Sequence, residues 1–167
     1  MSVIDYVFVC KEQDCRAEHV IKKALAIDAD MTVVEQKTSR NTLGWKWLIL
    51  TSTNTPHLQH TFEIVRASRS DFSELENLYS NPRITSLARQ ASKKIVCQLQ
   101  TSDARRHAWQ ALTSKRREAE LLQAEGTYNS LLLALLKLGQ GVLDRPESSQ
   151  LFTSRAFAKY LQSLPGN

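Results

Sequence analysis

No apolar run in this chain exceeds the six residues from Leu131 to Leu136, whereas a helix spanning a bilayer needs about 20. No transmembrane segment and no membrane partner are expected. Cysteine is scarce: Cys10, Cys15 and Cys97 are an odd number in a chain of 167 residues, which is long enough to need no disulfide framework. No basic region precedes the first apolar stretch, so a secretory leader is not expected and a reducing, cytoplasmic setting is. The glycine fingerprints G-x-x-x-x-G-K-[ST], G-x-G-x-x-G and G-x-S-x-G are missing. Nucleotide-loop and serine-hydrolase readings therefore lack support, and no cofactor is expected.

The 42% hydrophobic and 23% charged residues match an ordinary folded protein, and the length suits a single domain spanning residues 1–167. No repeat and no Gly/Ser-rich linker divides it. The expected fold is α+β: a small N-terminal sheet in an α/β portion through residue 100, with a mainly helical portion, 101–167, packed on it.

Val3 to Cys10 is rich in β-branched and aromatic residues and reads as a mostly buried strand. Asp14 can cap a helix in which Ala17, Val20, Ile21, Ala24 and Leu25 recur at helical spacing. Met31 to Lys37 and Trp45 to Thr51 read as strands, giving β-α-β-β. Thr55-Pro56 suggests a cap and first turn of a helix to about Ser68, although Phe62 and Ile64 alternate as a strand would. Ser70 or Asp71 starts a short helix to Tyr79, and Asn81-Pro82 interrupts the chain. Lys94 to Leu99 suits a strand or a helix equally. As a strand it would complete β-α-β-β-α-β, the ferredoxin-like order. Ser102 to Ala124 is dominated by strong helix formers, a leucine-rich helix follows, and Pro146-Glu147 opens a last helix to about Leu164.

Charge is unevenly placed. Residues 1–60 hold seven basic and seven acidic residues, so the net +5 belongs to the rest. Between Arg83 and Arg117 nine basic residues face one acid, Asp103. Projected at about 100° per residue, Arg105, Arg106, Trp109, Thr113, Arg116 and Arg117 share one helical face, opposite Ala104, Ala108, Leu112 and Leu122. Guanidinium groups along a rod can pair with successive phosphates, and an indole beside them can stack on a base. The candidate nucleic-acid-binding residues are Arg89, Lys93, Lys94, Arg105, Arg106, Trp109, Lys115, Arg116 and Arg117.

Catalytic patterns are thin. Glu35-Gln36-Lys37 matches the E-x-K half of a metal-dependent nuclease site, but the acids available to complete it, Asp28 and Asp30, immediately precede the same strand. An alternating solvent face explains Glu35 and Lys37 equally well. His57 and His60 could share a helical face, yet no third ligand is near in sequence; Cys10, Cys15 and His19 lack structural-zinc spacing. No metal is expected. Leu131 to Leu138 carries leucine all round its helix, which requires a cover from the helical core or from another protein subunit; Phe152, Phe157, Tyr160 and Leu161 of the last helix suit that cover.

The sequence therefore favours a non-catalytic nucleic-acid-binding accessory protein, one subunit of a nucleoprotein complex, touching the phosphate backbone through a basic helix. A protein-binding adaptor, inhibitor or immunity-type protein is the second reading, and a small metal-dependent nuclease the third.

Overall fold

The computed structural model describes residues 2–165. The protein is α+β, as its sequence indicates, but the sheet is larger than expected. Seven strands form it: β1 (Ser2–Val9), β2 (Met31–Thr38), β3 (Trp45–Ser52), β4 (Thr55–Arg66), β5 (Lys93–Thr101), β6 (Val142–Arg145) and β7 (Gln150–Thr153). Their order is β2-β3-β4-β5-β1-β6-β7, and every pairing is antiparallel. The helices are α1 (Ala17–Ile27), α2 (Arg69–Leu78), α3 (Pro82–Ala88), α4 (Arg106–Ala111), α5 (Ser114–Gly139) and α6 (Ser154–Ser163).

Residues 55–66 form the longest strand, not a helix. Leu58, His60, Phe62 and Ile64 are buried while the residues between them are half-buried or exposed. That two-residue period fits a sheet face and no helical stripe, and it overrides the Thr-Pro start signal. Lys93–Thr101 is a strand by the same alternation. The chain thus runs β-α-β-β-β-α-α-β through residue 101, one strand more than the ferredoxin-like order.

Two further differences lie in the second half. Pro146–Ser148 is a single 3-10 turn, and Phe152 sits in β7, so the last helix begins at Ser154 under a Thr153 cap. The portion after residue 101 therefore contributes two strands to the same sheet. Helix α1 starts beyond a 3-10 turn that contains Asp14, and Arg16 flanks it without a side-chain cap.

Alternation along β1 assigns the layers. Val7 and Val9 face a core that includes Leu131, Leu132, Leu135 and Leu136 of α5, whereas Phe8 packs with Leu75 of α2 and Ala88 of α3 on the other face. The leucine-rich helix is covered by the sheet, with α1 and α6 beside it. After α5, Gln140 takes a left-handed conformation (φ 45°) and Gly141 passes so close to the Phe8 carbonyl that a Cβ has no room. This approach returns the chain to the sheet as β6.

No helix among the described residues is long and apolar enough to cross a membrane.

Candidate functional site

Five of the eight basic candidates, Arg105, Arg106, Lys115, Arg116 and Arg117, gather at one corner of the protein. The backbone N–H of Ser102, just past β5, donates to the His57 carbonyl at 2.9 Å. The chain then makes one 3-10 turn, Asp103–Arg105, and enters α4. Leu112 and Thr113 are extended (ψ 152° and 154°), and α5 starts anew with the Thr113 hydroxyl accepting from the Arg116 N–H at 3.3 Å. The single amphipathic helix expected over 102–124 is thus two helices. A threonine oxygen competes for a backbone donor better at a cap than inside a helix, and here it ends one element and begins the next.

The break changes what the arginines face. A cleft of about 640 Å³ lies between the end of β5, α4 and the first turns of α5; Gln100, Arg106, Trp109, Arg117 and Glu118 are among its walls. Arg106 pairs with Asp103 on the exposed surface. Arg117 donates to the Gln110 carbonyl at 3.3 Å and to Ser114 Oγ at 3.4 Å. Arg105, Lys115 and Arg116 are exposed, and none of them enters an ion pair among the described residues.

The start of α5 holds Lys115, Arg116 and Arg117 and no acid in its first turn. Helix N-termini carry partial positive charge, so each cation there opposes the macrodipole by about 0.3–1 kcal/mol. The charges and the dipole add, making this corner strongly attractive to anions. Trp109 is only partly available for stacking. It is half-buried, packs against the main core, and its ring centroid lies 6.0 Å from that of His57. His57 Nδ1 in turn lies 2.8 Å from a carboxylate oxygen of Glu120, which ties α5 to β4 just beyond the basic turn.

Arg89, Lys93 and Lys94 do not join this corner. Lys93 and Lys94 open β5, about 27 Å from its end at Thr101 given some 3.4 Å per residue, and Arg89 flanks the end of α3 just before it. Lys94 pairs with Asp71 at 2.6 Å and its ammonium sits 4.9 Å from the Tyr6 ring centre. Arg89 pairs with Glu76. The hydrogen bonds from Lys94 and Ser68 outweigh burial and hold the Asp71 carboxyl below its usual range.

The other chemical candidates disperse. Asp30 precedes Glu35 by five residues of extended chain, about 17 Å, and Asp28 is engaged by Ser52 Oγ at 2.5 Å, so one metal cannot bridge these acids. Lys37 lies over the Trp47 ring at 4.6 Å. His57 and His60 lie in a strand rather than on the shared helical face expected, and both meet α5, His57 through Glu120 and His60 through Tyr128, in no metal-binding cluster among the described residues. Cys10 joins the α2–α3 side and Cys15 the α5 side, and burial pushes the Cys15 thiol up to about 12. No cluster of metal-binding side chains occurs among the described residues.

One constellation escaped the sequence reading. Asp5, fully buried, accepts from Tyr128 Oη at 2.8 Å and from Arg145 Nε at 3.0 Å, and Arg145 Nη2 donates to Asn129 Oδ1 at 2.8 Å. The available signal was a lone carboxylate inside the apolar run Val3 to Val9; its partners lie more than 120 residues away. No family model, curated protein or solved structure matches this chain.

Proposed function

We propose that this protein binds nucleic acid without catalysis, holding the phosphate backbone at the corner built from α4 and the first turn of α5. The observation that carries the reading is the placing of Lys115, Arg116 and Arg117 on the N-terminal turn of a 26-residue helix. A fold selected for stability alone would put acids there. Arg105, exposed and without an ion pair among the described residues, and Arg106, whose partner Asp103 is itself exposed, add guanidinium groups nearby, and guanidinium forks suit phosphate oxygens. Arg89, Lys93 and Lys94 are left out, because they lie at the far end of β5 and two of them are already paired. Contacts to phosphate carry no sequence information, so a backbone grip of this kind is sequence-tolerant. Three free thiols suit a reducing, cytoplasmic setting, and an accessory role beside another subunit of a nucleoprotein complex fits a surface that grips backbone alone.

Titration of labelled duplex DNA across a range of salt tests the reading. Five phosphate contacts give a log–log slope near about −4.5. No binding at low salt, or a slope near zero, overturns it.

A further inference from the structure

Beside the buried Asp5–Arg145 pair, and separate from the basic corner, a second cavity of about 290 Å³ opens between α5, α6 and the turn after β6. Val3 and Leu99 supply apolar wall, Tyr128 and Tyr160 supply aromatic wall, and Asn129 and Arg145 supply polar groups. The last two are held rigidly. Arg145 is fixed by Asp5 on one side and Asn129 on the other, its guanidinium lies 5.2 Å from the Phe157 ring centre, and Asp5 is fixed again by Tyr128. A cavity walled by such preorganised groups has the form of a small-molecule site.

Its charge indicates the ligand. The Arg145 charge is matched by Asp5, 3.0 Å away and with no side-chain exposure. Glu125 and Glu147, which also line the cavity, have no ion-pair partner among the described residues. In a protein of net charge +5 this cavity is therefore locally acidic by two charges. Both glutamates line the same cavity, and burial and then the charge of Glu147 push the Glu125 carboxyl above its usual value, against a smaller lowering by Arg145, so the two carboxylates repel each other. A structural staple needs only Asp5, Tyr128 and Arg145 and gives no reason for that repulsion. A cation between the two carboxylates removes it. The aromatic and apolar walls suit an alkyl stem, and the volume suits a small ligand of about ten heavy atoms.

We propose that the cavity bounded by Glu125, Asn129, Arg145, Glu147 and Tyr160 binds a small organic cation of the alkylammonium or alkylguanidinium class. Glu125 and Glu147 take the charged head, and Val3 and Leu99 take the stem. The test uses the full chain, isothermal titration and amide NMR shifts, with butylamine and agmatine as free cations, a capped Gly-Arg-Gly peptide as a side-chain guanidinium, and acetate and phosphate as controls. Saturable binding of a cation with shifts centred on Asn129 and Arg145, weakened at least about tenfold in Glu147→Gln and in Glu125→Gln, supports the proposal. Agmatine binding without peptide binding identifies a free amine as the ligand; binding of both admits a protein side chain. Glu147 is exposed, so its variant keeps the fold, and thermal melting verifies this. No cation binding up to millimolar concentration, binding unchanged in both variants, or preference for acetate or phosphate overturns it. Arg116→Ala leaves cation binding unchanged while weakening DNA binding, so the two sites fail separately.

Discussion

His60 of β4 stacks on Tyr128 of α5 with ring centroids 6.0 Å apart and planes 11° from parallel, and neither His60 ring nitrogen has a hydrogen-bond partner among the described residues. The imidazole is fully buried, and burial lowers its pKa from 6.5 to about 4. Above pH 6.5 it is neutral in both folded and unfolded chains. Between pH 6.5 and 4 the unfolded chain takes up a proton that the folded one refuses, so stability falls with pH by about 3 kcal/mol in total. Chemical denaturation across this window should show the slope, and His60→Leu should flatten it. Leucine also removes two unsatisfied polar atoms, so the variant should equal or exceed wild type in stability at pH 7. An unchanged slope in the variant assigns the pH dependence to other groups.

Lys115→Glu should stabilise the protein and weaken nucleic-acid binding together. Replacing a cation by an anion in the first turn of α5 turns an unfavourable dipole interaction into a favourable one, a change of about 1 kcal/mol and a rise of about 2–4 °C in Tm. The same change places a carboxylate among the phosphate-binding residues. Differential scanning calorimetry and fluorescence titration read the two effects. A variant that melts higher and binds DNA as tightly as wild type makes this turn irrelevant to binding.

The basic residues should divide by position. Arg105→Ala, Arg106→Ala, Arg116→Ala and Arg117→Ala combined should abolish DNA binding and lower the salt slope toward zero. Arg89→Ala with Lys93→Ala should leave affinity within about twofold, since these side chains sit at the other end of β5 and make no backbone-phosphate contact in the proposed mode. Arginine and alanine are both strong helix formers, so circular dichroism of the quadruple variant should match wild type. Equal losses in the two sets would extend the interface along the whole strand.

Leu132→Asp should prevent folding. Leu132 is fully buried in the core between α5 and the sheet, and a carboxylate there has no partner and must protonate or carry several kcal/mol of desolvation cost. Leu132→Ala should fold but lose about 2–5 kcal/mol by urea denaturation. A folded, monomeric Leu132→Asp at neutral pH would show that this side of α5 reaches water.

Much of the fold was legible wherever one periodicity dominated. The strand over Val3 to Cys10, the helix from Ala17, the strands near Met31 and Trp45 and the helical course of residues 114–139 all follow from the spacing of apolar residues. Residues 55–66 carry two conflicting signals, a Thr-Pro helix start and a period of two, and the period prevails because the alternate residues Leu58, His60, Phe62 and Ile64 are buried on one face of the sheet. The break at Thr113 was hidden for a related reason: Leu112 and Thr113 fit the helical projection, and only the cap geometry shows that Thr113 ends that projection. For the site, the density of cations was visible, but its division was not. Lys94 and Arg106 look like neighbours in one basic segment, while β5 between them is an extended rod.

By itself the sequence determined the mixed α and β composition, the position of excess positive charge in the second half, and the need to cover a helix bearing leucine on every side. These are local properties, set by period and by side-chain chemistry within a dozen residues. Only the tertiary structure decided that β6 and β7 return to the sheet beside β1, since that depends on a left-handed Gln140 and on the close passage of Gly141 over Phe8. It alone brought Asp5 to Tyr128 and Arg145. A buried carboxylate is tolerated only where donors reach it, and the donors that reach Asp5 come from a helix and a strand more than 120 residues along the chain.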